Sequence, residues 1–198
     1  MKKYILLSLL FTQCLLLFTS CDETEEVNKY ADWRNRNEAF IDSLKRVYDA
    51  KTDPELIQII PYAEKNYPIY AKKLKTVTSG ETPLYTDSVY TYYRGMLINE
   101  AVFGAATTPR YYTKLYQSLD VFDKNFEGEE PNAFESPTKF FVNGVVAGWR
   151  EVLQRMKVGE RWEVYIPWQQ GYGSSVSGTI PAYSTLIFDV NLVSIIKK

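Results

Sequence analysis

Two kinds of spacing divide the chain. Over residues 28 to about 50, Trp33, Phe40, Ile41, Leu44, Val47 and Tyr48 recur at helical intervals while Arg34, Arg36, Glu38, Asp42 and Lys45 fall between them, which predicts an amphipathic helix. Its apolar stripe needs a surface to cover, and two are open: the rest of its own chain, or a second copy. Asp53-Pro54 ends the segment. Pro61 and Pro68 argue against a long second helix and leave room for a short one over residues 55–62. From Ile69 onward the pattern shortens to alternating runs. Val89-Tyr90-Thr91-Tyr92-Tyr93 reads as a strand from its β-branched and aromatic content. In residues 161–166, Trp162, Val164 and Ile166 share a face, and in residues 185–192 Leu186, Phe188, Val190 and Leu192 oppose Asp189 and Asn191. Ahead of these two strands, Trp149, Val152, Leu153 and Met156 occupy i, i+3, i+4 and i+7, a helical stripe closed by Gly159. One helix laid across an antiparallel sheet is an α+β arrangement. No internal repeat is present, and Gly171-Tyr172-Gly173 does not continue into a dinucleotide fingerprint.

The first residues add a targeting signal to this picture. Lys2 and Lys3 precede an apolar run from Tyr4 to Phe18, broken by Thr12 and Gln13; it is shorter than the roughly 20 residues that cross a bilayer and reads as a secretory signal over residues 1–20. Phe18-Thr19-Ser20-Cys21 resembles the lipobox of bacterial lipoproteins, although Phe18 stands where the pattern favours an aliphatic side chain. The resemblance implies that Cys21 becomes the mature N-terminus and carries acyl chains; otherwise Cys21 is an ordinary residue after a cleavage site. More than one acyl chain, at roughly 0.8 kcal/mol per buried methylene, holds a domain stably on a membrane. The following Asp22-Glu23-Thr24-Glu25-Glu26 reads as a solvated tether, so residues 21–27 form anchor and spacer, and it also resembles the surface-export signal of Bacteroidetes lipoproteins.

Composition then removes several classes of chemistry. Cleavage after residue 20 takes away Lys2, Lys3 and no acid, so 23 basic residues become 21 against 24 acidic, a net charge of −3; nothing here points to a nucleic-acid partner. Cys14 leaves with the signal, so the mature chain has no disulfide and must rely on its own core, for which it is long enough. The 198 residues include no histidine. That excludes Ser-His-Asp and Cys-His nucleophile systems and a His-based zinc site, and no metal or cofactor is expected. Chemistry must use carboxylates, hydroxyls and backbone groups, or no proton transfer at all.

A string of short motifs supplies a candidate. Tyr93-Arg94-Gly95-Met96-Leu97, Val121-Phe122-Asp123, Gly144-Val145-Val146-Ala147-Gly148-Trp149, Met156-Lys157-Val158-Gly159, Gly171-Tyr172-Gly173, Ile180-Pro181 and Leu186-Ile187-Phe188-Asp189-Val190 together resemble the FKBP family of prolyl isomerases over residues 69–198. Phe103-Gly104 is a competing match to the Phe-Asp pair, but Phe122-Asp123 carries both residues and stands at ordinary distance from Val145. The resemblance implies an antiparallel sheet wrapped around one short helix, preceded by an N-terminal helical segment at 28–68, and an insertion at about 98–119 in which Tyr111, Tyr112 and Tyr116 have helix-like spacing.

The resemblance also implies roles. Trp149 is the floor of an apolar pocket, Tyr93, Phe122, Phe140 and Phe188 its walls, and Val145, Val146 and Ile180 its entrance. The Val146 N–H and the Tyr172 hydroxyl are expected to hold substrate carbonyls, and Asp123 to orient the twisting amide. The family's frequent histidine in the loop before Ile180 is missing. The activity implied is cis/trans isomerisation of X-Pro bonds in exported or surface polypeptides; the expected place is a bacterial membrane, the outer one, held through Cys21, and a homodimer through the N-terminal helix is the assembly that the second reading of that helix implies. The alternative is a peptide-binding chaperone module that keeps the pocket without turnover.

Overall fold

A computed structural model describes residues 28–99 and 119–198. Cys21, its tether and most of the expected insertion, with Tyr111, Tyr112 and Tyr116, lie outside the described residues. The elements of residues 32–198 are helix α1 (Trp33–Ala50), strands β1 (Leu56–Ile59), β2 (Ile69–Lys75), β3 (Ser88–Leu97), β4 (Asp120–Lys124) and β5 (Thr138–Phe141), helix α2 (Ala147–Leu153), and strands β6 (Arg161–Ile166) and β7 (Leu186–Ile196). The strands form one antiparallel sheet in the order β1-β2-β6-β7-β3-β4, with β5 also on β3. The α+β class expected from the alternation is therefore what forms.

Helix α1 starts at Trp33, later than the periodicity suggested, and closes in a Schellman-type end. Lys51 adopts φ 54° and the Thr52 N–H reaches the Val47 carbonyl at 3.3 Å, satisfying carbonyls that the last turn would leave open. The helix lays its stripe on its own sheet. Phe40 packs on Tyr165 with ring centroids 5.9 Å apart and Tyr48 on Tyr70 at 6.1 Å. Polar groups fix the register: the Trp33 indole donates to Ser184 Oγ at 2.9 Å, and Asn37 Oδ1 accepts the Thr185 N–H at 2.7 Å. Of the two surfaces open to this helix, the first is taken, so a dimer would have to form without its apolar stripe.

Residues 55–62 do not form the short helix that the sequence left room for. Leu56–Ile59 is a strand paired with β2, Leu56 opposite Lys72 and Ile59 opposite Ile69, so the sheet begins upstream of residue 69. An apolar run of this length has no periodicity that separates strand from helix, and the free edge of β2 decides.

Alternation gives the sheet two different faces. On the front, α2 buries Trp149, Val152 and Leu153 against Trp162, Val164, Ile166 and Leu186; each such side chain contributes roughly 1.5–3 kcal/mol. The contact is close: a Cβ on Gly148 would lie 2.4 Å from Ile166 Cγ2. On the back, beside α1, runs a row of charges, with Lys72, Glu163, Asp189 and Arg94 as successive cross-strand partners on β2, β6, β7 and β3. Arg161 grips Asp189 through two bonds of 2.8 and 2.6 Å, the paired geometry that suits a guanidinium. Residues 125–137 cover this row. Arg94 donates to the Gly128 carbonyl at 2.7 Å and lies 4.5 Å from the Phe126 ring centroid.

Glu163 is 4% exposed within this row and accepts the Tyr165 hydroxyl. Burial pushes its carboxyl up to about 7, with Asp189 adding to the shift while the Tyr165 hydroxyl, Lys72 and Arg161 oppose it. A raised folded-state value means that the protonated form is favoured by folding. The stability this provides is complete below the unfolded value of 4.5 and is lost as pH rises through about 7. Glu163→Gln removes the titration, so the melting temperature of the variant relative to the parent is expected to rise steadily between pH 5 and pH 8. A difference that stays constant over that range would show that Glu163 is ionised throughout.

Candidate active site

The front of the sheet, where β3, β4, β5 and β7 meet α2, encloses a cavity of about 250 Å³. It is lined by Tyr93, Phe122, Asp123, Phe140, Gly144, Val145, Val146, Trp149, Tyr172 and Phe188. Nine of the side chains singled out from the sequence thus come together, although they are spread over 96 positions of chain. Ile180 does not line the cavity. It is buried with the hydrophobic core and bridges to Ser177 across a tight turn, the one residue singled out from the sequence for the pocket that is not among the lining. Gly144, which the sequence reading passed over as a member of the lining, is present because the chain turns there into α2.

The walls are aromatic rings set edge to face. Trp149, 2% exposed, is the floor. Phe140 stands over it at 4.9 Å and 84°, Tyr93 at 5.8 Å and 77°, and Phe188 at 5.5 Å and 49°. Tyr93 meets Phe140 at 5.3 Å, and Phe122 meets Phe188 at 5.6 Å and 87°. Such pairs are each worth roughly 0.5–1.5 kcal/mol beyond the area they bury, and together they fix the shape of the hollow. Gly95 makes room for the outer pair: a Cβ there would lie 2.5 Å from Phe122 Cζ and 2.8 Å from Phe188 Cε1.

Few polar groups face this surface. The Tyr93 hydroxyl donates to Asp123 Oδ2 at 2.7 Å. Burial, together with that carboxylate, holds the Tyr93 hydroxyl well above the ordinary tyrosine value, so it stays a donor and orients Asp123. The Val146 N–H, just before α2, finds no acceptor among the described residues. The Trp149 indole N–H is buried and also without an acceptor. Tyr172, 42% exposed, stands at the mouth. Its loop is braced from below, because the Trp168 carbonyl accepts the N–H groups of Gly171 at 3.1 Å and Gly173 at 2.9 Å, and the Gly173 carbonyl accepts the Tyr183 N–H at 2.9 Å. The cavity therefore offers an apolar hollow with donors at its edge and one carboxylate at its side. No cluster of three or more metal-ligating side chains occurs among the described residues.

The close approach at Gly95 sets a test of the wall. In Gly95→Ala the Phe122 and Phe188 rings must turn out of their present positions, with an expected stability loss of about 1–3 kcal/mol and a weakened near-UV circular dichroism band. A variant with the parent's melting temperature and spectrum would show that the wall tolerates the added methyl group.

A family model described as FKBP-type peptidyl-prolyl cis-trans isomerase matches residues 80–193. Among curated proteins, the FKBP-type 22 kDa peptidyl-prolyl cis-trans isomerase of Escherichia coli (strain K12) is 36% identical over 118 residues, covering 59% of this chain and 45% of that one. The outer membrane protein MIP of Legionella longbeachae is 32% identical over 126 residues, covering 63% and 43%. The chain therefore spans less than half the length of either relative. The crystal structure of FkpA from Escherichia coli superposes with a TM-score of 0.56 at 23% identity, over 83% of this chain and 62% of that one, a likeness of fold. With more than half of its 198 residues inside the match, the chain belongs to the FKBP-type peptidyl-prolyl cis-trans isomerase family.

Proposed function

We propose that the protein is a peptidyl-prolyl cis/trans isomerase that uses this cavity on exported polypeptides. The observation that carries the reading is the convergence of Tyr93, Phe140, Trp149 and Phe188 on a hollow of about 250 Å³, a space suited to a pyrrolidine ring, in a chain of this family. Rotation about an X-Pro bond removes no proton and forms no covalent intermediate; its barrier of roughly 18–20 kcal/mol is amide resonance. An apolar hollow disfavours the charge-separated planar amide more than the twisted amide, which has lost that resonance, and this difference lowers the barrier. The Val146 N–H and the Tyr172 hydroxyl hold the peptide carbonyls. Asp123, steadied by Tyr93, orients the twisting amide. Phe122 and Val145 complete the hollow. The catalytic unit is residues 69–198 with an insertion at about 98–119, and residues 28–68 form an N-terminal segment whose helix covers the back of the sheet and whose strand β1 extends its edge.

The location follows from the N-terminal residues. A signal over residues 1–20, a lipidated Cys21 and an acidic tether would place the domain at a bacterial membrane, and the Legionella longbeachae relative is named as an outer membrane protein. Acyl chains on Cys21 are the proposed attachment; among the described residues no helix is long and apolar enough to cross a membrane.

Two measurements test these readings. The purified protein is expected to accelerate cis/trans exchange in a short proline peptide, with Asp123→Ala and Tyr172→Phe each lowering kcat/KM about tenfold, or ~1.4 kcal/mol; a purified protein with no effect on that exchange would overturn the reading. In a bacterial host, Cys21→Ser is expected to move the protein from the membrane fraction to the periplasm. Membrane association that survives this change would remove Cys21 as the anchor.

A further inference from the structure

A side chain that does not line the cavity bonds to the strands that wall it. Strand β3 has two partners on one edge: β5 pairs with Ser88, Val89, Tyr90 and Thr91, and β4 with Arg94, Gly95, Met96 and Leu97. Between them, Tyr92 and Tyr93 have no strand partner on that side. Asn125, the residue directly after β4, occupies the interval. Its main-chain N–H donates to the Tyr93 carbonyl at 3.1 Å, and its Oδ1 accepts the Tyr93 N–H at 2.8 Å. Its Nδ2 donates to the Thr91 carbonyl at 2.9 Å and to Thr138 Oγ1 on β5 at 3.0 Å. The orientation of this amide is not arbitrary. A main-chain N–H can only donate and a main-chain carbonyl can only accept, so oxygen must face Tyr93 and nitrogen must face Thr91.

One side chain thus ties together β3, β4 and β5, three of the four strands that supply the cavity's wall and its acid. Tyr93, held by Asn125 at both its N–H and its carbonyl, carries the hydroxyl that orients Asp123, two residues before Asn125. Thr138 lies two residues before Phe140, which packs on the Tyr93 ring at 5.3 Å. We propose that Asn125 is a positioning residue for the reaction, its side-chain amide standing in for the missing strand partner so that Tyr93 meets Asp123 and Phe140 together. This rests on the isomerase reading for its effect on turnover and on geometry alone for its effect on the wall. Aspartate cannot replace it, since a carboxylate has no donor for the Thr91 carbonyl and places two acceptors face to face.

The test pairs a spectroscopic readout with a kinetic one. The Trp149 indole N–H resonance, assigned through Trp149→Phe, reports the rings around it without needing catalysis. Asn125→Ala and the near-isosteric Asn125→Asp are both expected to shift it, and Asn125→Asp serves if the alanine variant does not fold. In peptide exchange, Asn125→Ala is expected to lower kcat/KM about tenfold. Because it acts through Tyr93, that loss should largely vanish when measured in a Tyr93→Phe background. An unmoved indole resonance in a folded variant, or losses from Asn125→Ala and Tyr93→Phe that simply multiply, overturns the proposal. Should the parent protein itself catalyse no exchange, the isomerase reading fails, and the indole resonance still decides whether Asn125 sets the wall.

Discussion

Strand β3 is the constraint to which the rest of the molecule refers. It pairs with β7 along nearly its whole length on one edge and is shared between β4 and β5 on the other. It carries Tyr93 on the front, Arg94 on the back, and Gly95 where two rings need bare backbone. A break in a sheet edge normally exposes main-chain donors and acceptors to water or to another chain. Here the break is closed by a side-chain amide, and the two strands that diverge around it bring Asp123 to the hydroxyl and Phe140 to the ring of one tyrosine. The cavity is thus a product of how an edge is divided, more than of any single residue within it.

The two faces of the sheet solve different problems. The front needs a hollow that stays open, and rings locked edge to face around Trp149 supply walls that cannot collapse inward without losing their mutual contacts. The back needs to be closed, and it is closed twice. Helix α1 covers β1, β2 and part of β6 with Phe40, Leu44 and Tyr48. Residues 125–137 cover the remainder, held by Arg94 and Arg161. Buried charges of this kind are weak sources of net stability, but they have a directional use here. Arg161 ties the start of β6 to Asp189 and, through the Glu129 carbonyl at 2.5 Å, to the loop that follows Asn125. Glu135 closes the same loop on itself, its carboxylate accepting the Asn132 N–H at 2.7 Å.

Much of this was legible in the sequence, and the failures have physical causes. Helix α1 and strands β6 and β7 declare themselves by periodicity, because each buries one face or one stripe. The lining of the cavity became legible through an ordered set of motifs; Phe188 by itself would be read as a core residue. Strand β1 was ambiguous because its run is too short and too uniformly apolar to show a period. Ile180, assigned to the entrance by resemblance, is buried with the core instead of among the lining, because a place in a loop does not say which way a side chain turns. Asn125 carried no signal at all. A polar residue after a strand is ordinary, and its importance arises only when β4 and β5 diverge in three dimensions. Glu163 was equally silent, since alternation on β6 marks only the face of Trp162, Val164 and Ile166 and does not tell what covers the other one.

The attachment of α1 bears on how the molecule transmits force. Its first two turns are bonded to Ser184 and Thr185, immediately ahead of β7, and Arg34 lies over the paired rings of Trp168 and Tyr183, 5.5 and 4.9 Å from their centroids. Tension applied upstream of Asp32 would be borne first by these contacts at the foot of β7. Part of it would pass into β7, which β6 and β3 pair on both edges, and part into Trp168 and Tyr183, whose main-chain groups brace the loop of Tyr172, so a chain pulled from its N-terminal side would load the mouth of the hollow before its floor.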